Sequence, residues 1–164
     1  LLFRKELELA TNNLSILFVA SEVEGLIKSG GLADVAKALP EALQNLQQEV
    51  RITIPAYSSI DKLADAEVVL ETELTSWPHT EYRVLRLMLG QNPVYLIDCQ
   101  PYFNRPSMYA ENNQAYTDNG ERFAFFSCSV FRHVAEACFS ARYHTRERLA
   151  HWSCSIFAQA QVWQ

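Results

Sequence analysis

The sequence predicts an α/β fold built on a parallel sheet, and three observations predict it. Leu14 to Ala20 (LSILFVA) is an almost continuous apolar run with little alternation, the pattern of a strand covered on both faces. Leu32, Val35, Ala36, Leu39, Ala42, Leu43 and Leu46 then recur at three- and four-residue spacing, the period of an amphipathic helix. Glu49 to Pro55 (EVRITIP) follows as a second apolar strand. Strand, glycine-bearing loop, helix and strand make a βαβ unit, whose crossover is right-handed.

The elements follow in order. The loop from Ser21 to Gly30 carries Glu22, Glu24 and Lys28, and the helix runs from about Gly31 to Gln47. Pro40 lies inside that helix, so a bend or local irregularity is expected there. Glu67 to Leu74 and Arg83 to Leu89 alternate well enough to be strands, and Val94 to Asp98 (VYLID) is another strand of the buried type. Between Asp98 and Asp118 the chain is rich in Pro, Asn and Tyr, which predicts a long ordered loop and a functional candidate. Asp118 or Asn119 is placed to cap a helix that starts near Gly120 and continues through Arg122, Phe123 and Phe126.

Composition bounds the functional classes. The chain has 164 residues, 49% hydrophobic and 20% charged, with a formal net charge of −5. That is enough for one domain with a real core and short for two. No run approaches the roughly 18 apolar residues of a membrane span, and LLFRKELELATN at the start mixes charges among its leucines instead of forming a signal core. The acidic balance argues against sequence-independent nucleic-acid binding, which needs a basic face. Cys99, Cys128, Cys138 and Cys154 include no C-x-x-C pair and suit a reducing cytoplasm.

The composition is uneven. Residues 1–127 hold ten Lys/Arg against seventeen Asp/Glu, whereas 128–164 hold four Arg and two Glu and contain no Gly, Pro, Asp or Lys. The tail therefore lacks the residues that stop helices and make turns. The expected organisation is an N-terminal extension over 1–13, the α/β unit over 14–127 and a distinct tail over 128–164.

The segment Lys28-Ser29-Gly30-Gly31-Leu32-Ala33-Asp34 follows a strand and opens a helix. Two glycines let a ligand approach the backbone, the helix start offers unpaired N–H groups, and Lys28 adds a mobile charge, which together suit a phosphate. The segment is neither a G-x-G-x-x-G fingerprint nor a Walker A loop. The alternative is a tight strand-to-helix turn with Lys28 solvated and Asp34 a first-turn carboxylate favoured by the helix dipole.

The run ILFVASEVEGLIKSGGLADVAKALPEAL, continued by RITIPAYSSI, resembles the N-terminus of bacterial glycogen synthases and plant starch synthases. VYLIDCQPYFNRPSMYAENNQAYTDNGERFAFFS resembles a second block of the same family, so the likeness covers about residues 14–127. It implies a Rossmann-like parallel sheet, the incomplete N-terminal half of a two-domain GT-B glycosyltransferase. The implied reaction is transfer of glucose from ADP-glucose to the non-reducing end of an α-1,4-glucan, with retention, in glycogen biosynthesis in the cytoplasm. By the resemblance Lys28 contacts the donor diphosphate, Gly30 and Gly31 present backbone N–H groups beside it, and Asp34 lies near the donor or holds the loop. Tyr109, Tyr116, Asp118, Asn119 and Arg122 fall on the acceptor side, where rings and polar groups line a glucan. Their structural alternative is that Tyr116 and Phe123 pack in the core, Asp118 caps the helix and Arg122 pairs with a carboxylate. No cofactor, metal or nucleic-acid partner is implied, and no catalytic residue of the family falls within the chain.

The resemblance stops after Phe126-Ser127, where the family continues towards a strand ending H-A-N/H-D-W-H-T-G-L. Tyr143 to Ser153 can be encoded so that a one-base shift reads Ile-Ile-His-Ala-Asn-Asp-Trp-His-Thr-Gly-Leu, the absent motif in its expected place. A frameshift between about Ser127 and Phe131 is therefore expected, with 128–164 an out-of-frame tail. The same origin accounts for Cys138, His144, His151 and Cys154 better than a zinc site, since no second Cys pair supports one. The chain is expected to be inactive alone; the alternative is a non-catalytic glucan- or nucleotide-binding module.

Overall fold

In a computed structural model, residues 14–75, 77, 80–134 and 157–158 are described. The N-terminal extension, most of the tail and the four residues of the zinc reading lie outside them.

The βαβ unit forms as the periodicity predicts. Strand β1 (Ser15–Val19) leads through a loop into helix α1 (Gly31–Asn45) and then into β2 (Glu49–Pro55), which pairs with β1 in parallel, Ile16 opposite Val50 and Phe18 opposite Ile52. Strands β3 (Glu67–Leu74), β4 (Thr80–Leu89) and β5 (Asn92–Asp98) complete the main sheet in the order β3-β4-β5-β2-β1. A two-residue strand, β8 (Phe157–Ala158), lies parallel to β1 opposite Phe18 and Val19 only. Among the described residues, Ser15 to Leu17 have no neighbour on that side.

The sheet is mixed rather than parallel throughout. β5 runs parallel to β2, but β4 is antiparallel to both β3 and β5. The reason is the connection: β4 and β5 are joined by Gly90 and Gln91 alone, with Gly90 at φ +63°, and two residues make a hairpin, not a crossover. Edge strand β3 carries Glu67, Glu71 and Glu73 and a register shift between Val68 and Leu70, features that blunt an open edge.

The core lies on the central strands. Ile16, Leu17 and Phe18 of β1, Ile52 and Ile54 of β2 and Val94, Leu96 and Ile97 of β5 are all buried, so both sheet faces are covered there. Helix α1 buries Ala33, Ala36 and Pro40, with Leu43 packed partly against the core. Its apolar stripe is wider than its covered face: Val35, Leu39 and Leu46 remain 45%, 40% and 68% exposed. The helix accommodates Pro40 without interruption between Gly31 and Asn45.

The segment after β5 is ordered by short elements: α2 (Gln100–Phe103), the pair β6 (Ala110–Glu111) and β7 (Gln114–Ala115), then α3 (Asn119–Ser129) and a π-helical turn over Val130–Val134. Phe125 and Phe126 of α3 enter the core, Phe125 meeting Tyr82 edge-to-face at 5.6 Å. No described helix is long and apolar enough to cross a membrane.

Candidate functional site

The predicted donor residues gather where β1 gives way to α1. The turn after β1 is held by the Val23–Ile27 bridge and by the Glu24 N–H donating to the Ala33 carbonyl at 3.1 Å. Gly25 sits at φ +97°, a conformation that favours glycine, and an added Cβ would lie 2.9 Å from Leu89 Cδ1 and push that side chain aside. Gly30 is the N-cap of α1 in extended conformation, and no side chain caps the helix. Nothing lies within 4 Å of where a Cβ on Gly30 or Gly31 would point. The start of α1 thus combines N–H groups that no side chain caps with two glycines bordered by open space.

Lys28 lies at this opening, 43% exposed along its side chain, and its Nζ contacts Asp34 Oδ1 at 2.5 Å and Glu24 Oε1 at 3.6 Å. The Asp34 carboxylate raises its proton affinity above the ordinary ammonium value, so Lys28 stays cationic at any physiological pH. Asp34 therefore partners the lysine instead of simply sitting on the helix dipole. Lys37 reaches the second oxygen of Glu24 at 3.7 Å, which extends the contacts to a chain of four charges, Asp34, Lys28, Glu24 and Lys37.

Behind the turn, Glu22 is only 2% exposed and accepts both the Ser29 N–H and the Ser29 hydroxyl, the latter at 2.9 Å. Sequence inspection placed Glu22 in the loop without assigning it a role. Its signal was an acid directly after an apolar strand and ahead of the glycines.

The second block joins this site through one of its predicted members. The Tyr109 hydroxyl donates to Ser21 Oγ at 2.7 Å and also interacts with the Ser29 side chain; burial pushes this phenol above its ordinary pKa. The Tyr109 carbonyl receives the Tyr116 N–H at 3.1 Å and the Asn119 side-chain amide at 2.8 Å. Tyr57, fully buried, lies in the electrostatic field of Tyr109, Arg122 and Glu22, and burial raises its phenol well above the usual value.

Among the described residues Arg122 pairs with no carboxylate. It is completely buried and donates to the carbonyls of Tyr102 at 2.7 Å and Met108 at 3.0 Å and to Asn119 Oδ1 at 2.8 Å, with its guanidinium 5.0 Å from the Tyr116 ring centre. Desolvation, reinforced by Arg105, lowers its proton affinity. The carboxylate instead belongs to Arg105, whose Nη1 meets Asp118 Oδ1 at 2.8 Å and Nη2 meets Oδ2 at 2.5 Å. This fork holds Asp118 below the usual carboxylate range. Asp118 occupies the N-cap position of α3, but its side chain makes no capping bond. Of the five predicted acceptor-side residues, Tyr109, Tyr116 and Asp118 keep partial exposure, while Asn119 and Arg122 direct their polar groups into the protein. Tyr116 is half-buried, not a core residue.

An open groove of about 870 Å³ lies elsewhere, along the β3–β4 hairpin. It contains none of the predicted residues, and its rim of Glu71, Glu73, Glu81 and Asp98 suits no anionic ligand. The predicted donor residues lie instead at the glycine turn.

Known proteins resemble this chain over most of its length. Over 131 residues the chain is 83% identical to the glycogen synthase of Vibrio parahaemolyticus serotype O3:K6, covering 80% of this chain and 27% of that protein. Over 121 residues it is 74% identical to the glycogen synthase of Vibrio vulnificus strain YJ016, covering 74% of this chain and 25% of that one. Among solved structures it superposes with the catalytic domain of Starch Synthase IV from Arabidopsis thaliana bound to ADP and acarbose, at a TM-score of 0.60 and 25% identity, over 80% of this chain and 26% of that one. The chain thus spans about a quarter of the length of the relatives it matches. Residues 15–146 match the family described as starch synthase catalytic domain, and to that family the chain belongs.

Proposed function

We propose that the chain is the donor-side part of a glycogen synthase, an enzyme transferring glucose from ADP-glucose to the non-reducing end of an α-1,4-glucan with retention, in cytoplasmic glycogen biosynthesis. The observation that carries the proposal is the uncapped start of α1, where Gly30 and Gly31 leave open space beside the Lys28 ammonium. Negative charge grows on the departing diphosphate during glucosyl transfer, and preorganised N–H groups with a lysine stabilise it there. When the diphosphate arrives, Lys28 exchanges Asp34 and Glu24 for phosphate oxygens. Both acids are about half exposed, so water takes over their solvation at little cost. The ADP and acarbose held by the plant starch synthase support the same ligand classes here.

With about three quarters of the relatives' length absent from it, the chain binds ADP but does not synthesise glucan. Titrating the 164-residue chain with ADP tests the first part: binding is expected, weakened about tenfold by Lys28→Ala, as befits one lost charge-assisted contact. An affinity indifferent to Lys28→Ala overturns the site. Incubation with ADP-glucose and glycogen tests the second; robust ADP release refutes inactivity. Co-sedimentation with glycogen separates a glucan-binding module from this reading, which expects little retention. We further propose that 128–164 is an out-of-frame tail appended to the α/β unit of 14–127. Resequencing the gene decides it, since DNA lacking the shifted motif beneath residues 143–153 removes the idea.

A further inference from the structure

We propose that Glu22 is the positioning residue of the glycine turn, holding Ser29 so that the Gly30 and Gly31 N–H groups, and not the Ser29 N–H, are offered to the donor diphosphate. The inference rests on the donor reading above and assigns a role to a residue outside its contact set.

A carboxylate buried to 2% exposure is costly unless its oxygens are hydrogen-bonded. Both donors given to Glu22 come from one residue, the N–H and the hydroxyl of Ser29. Ser29 precedes Gly30, the N-cap of α1, and the two glycines that follow have no side chains of their own to pack. Without an anchor, this pair of residues has the widest backbone freedom in the turn. Fixing Ser29 fixes the peptide plane leading into them, and an ionised acceptor does so about twice as strongly as a neutral one.

The anchor is itself braced. Ser21, the neighbour of Glu22, receives the Tyr109 hydroxyl at 2.7 Å, and the same hydroxyl interacts with Ser29. The three carboxylates around the turn therefore divide their work by burial. Glu24 and Asp34, with side chains 43% and 52% exposed, hold Lys28 and can release it to a ligand. Glu22 cannot exchange its partner for water.

The test uses the 164-residue chain, ADP as the probe, calorimetry for affinity and amide exchange for the backbone of residues 29–31. Glu22→Ala is expected to weaken ADP binding about tenfold and to expose the Ser29 amide, with circular dichroism unchanged. Glu22→Gln keeps an acceptor for Ser29 and is expected to retain protection and to stay within about twofold in affinity. Ser29→Ala, which keeps the backbone N–H on Glu22 and removes the hydroxyl's contacts with Glu22 and Tyr109, is expected to weaken ADP binding about threefold. A folded Glu22→Ala chain with unchanged affinity, or with unchanged protection at Ser29, overturns the positioning role alone. If Glu22→Ala does not fold, Ser29→Ala decides, and an affinity equal to that of the unsubstituted chain overturns the role. Failure of the unsubstituted chain to bind ADP defeats the donor reading and this inference with it.

Discussion

Replacing Arg122 by alanine is expected to cost the chain about 4 kcal/mol, a large fraction of the roughly 5–15 kcal/mol that holds a domain of this size. The guanidinium is fully buried, and its donors serve the carbonyls of Tyr102 and Met108 and the side-chain oxygen of Asn119 at 2.7, 3.0 and 2.8 Å. Alanine strands these three acceptors, at about 1–3 kcal/mol for each that water does not reach. The guanidinium also lies 5.5 Å from the Phe103 ring centre, 5.0 Å from Tyr116 and 5.6 Å from Phe123, contacts worth about 2 kcal/mol together when desolvated. Against these losses, removal relieves the desolvation of a buried cation with no carboxylate beside it, the same effect that lowers its proton affinity. The net is therefore well below the sum. Urea unfolding followed by near-ultraviolet dichroism measures it, and Arg122→Lys, which keeps the charge but loses the planar fork, is expected to forfeit about half as much. A loss below about 1 kcal/mol for Arg122→Ala would refute the claim that this side chain ties α2, the loop at Met108 and α3 together.

Three further perturbations have defined outcomes. Gly25→Ala meets both the positive φ and Leu89 Cδ1 at 2.9 Å, and is expected to destabilise by about 1–3 kcal/mol. Adding Leu89→Ala relieves the steric part but not the conformational part, so a thermal-melt double-mutant cycle shows partial coupling. Because Arg105 depresses the Asp118 pKa, that ion pair's contribution is complete above the ordinary carboxylate value of 3.8 and is lost as pH falls below it through the folded-state value. Arg105→Ala should remove about 1 kcal/mol near neutrality and flatten the acid limb of the stability curve between pH 4 and the native midpoint. In thiol labelling read by peptide mass spectrometry, exposed Cys128 is modified readily. Buried Cys99, whose thiol burial pushes up to about 11, is protected until the chain unfolds.

How much of this was legible depends on the distance over which each feature is encoded. β1, α1 and β2 were readable because their signals are local periodicities of adjacent residues, and the glycine turn because Gly30-Gly31 falls between two of them. The antiparallel sense of β4 was also encoded locally, in the two-residue Gly90–Gln91 connection, but a generic parallel sheet overrode it. The face that α1 buries was misplaced by about one residue in register: Val35 and Leu39 look like core in a helical projection, whereas Ala33, Ala36 and Pro40 supply the contact. Small residues let the helix approach the sheet closely, which a count of large apolar residues does not register. The carboxylate partner of Arg122 was the natural guess for a buried arginine. No local rule distinguishes Arg105 from Arg122 as the mate of Asp118, since the choice depends on where the loop of residues 104–118 folds back. Glu22 escaped notice because its importance lies in burial, which appears only once the second block covers it.

The Ser21–Tyr109 hydrogen bond spans 88 positions of chain, and this separation orders assembly in time. A contact so distant in sequence closes only after its intervening strands have paired, because the loop entropy must be recovered by those nearer contacts first. During synthesis, β1, α1 and β2 emerge long before Tyr109 does. The glycine turn therefore passes through a period in which Glu22 lacks the brace above it, and it acquires its final geometry only when residues beyond 109 have left the ribosome. The final geometry of the first motif is in this sense conferred late, by the second.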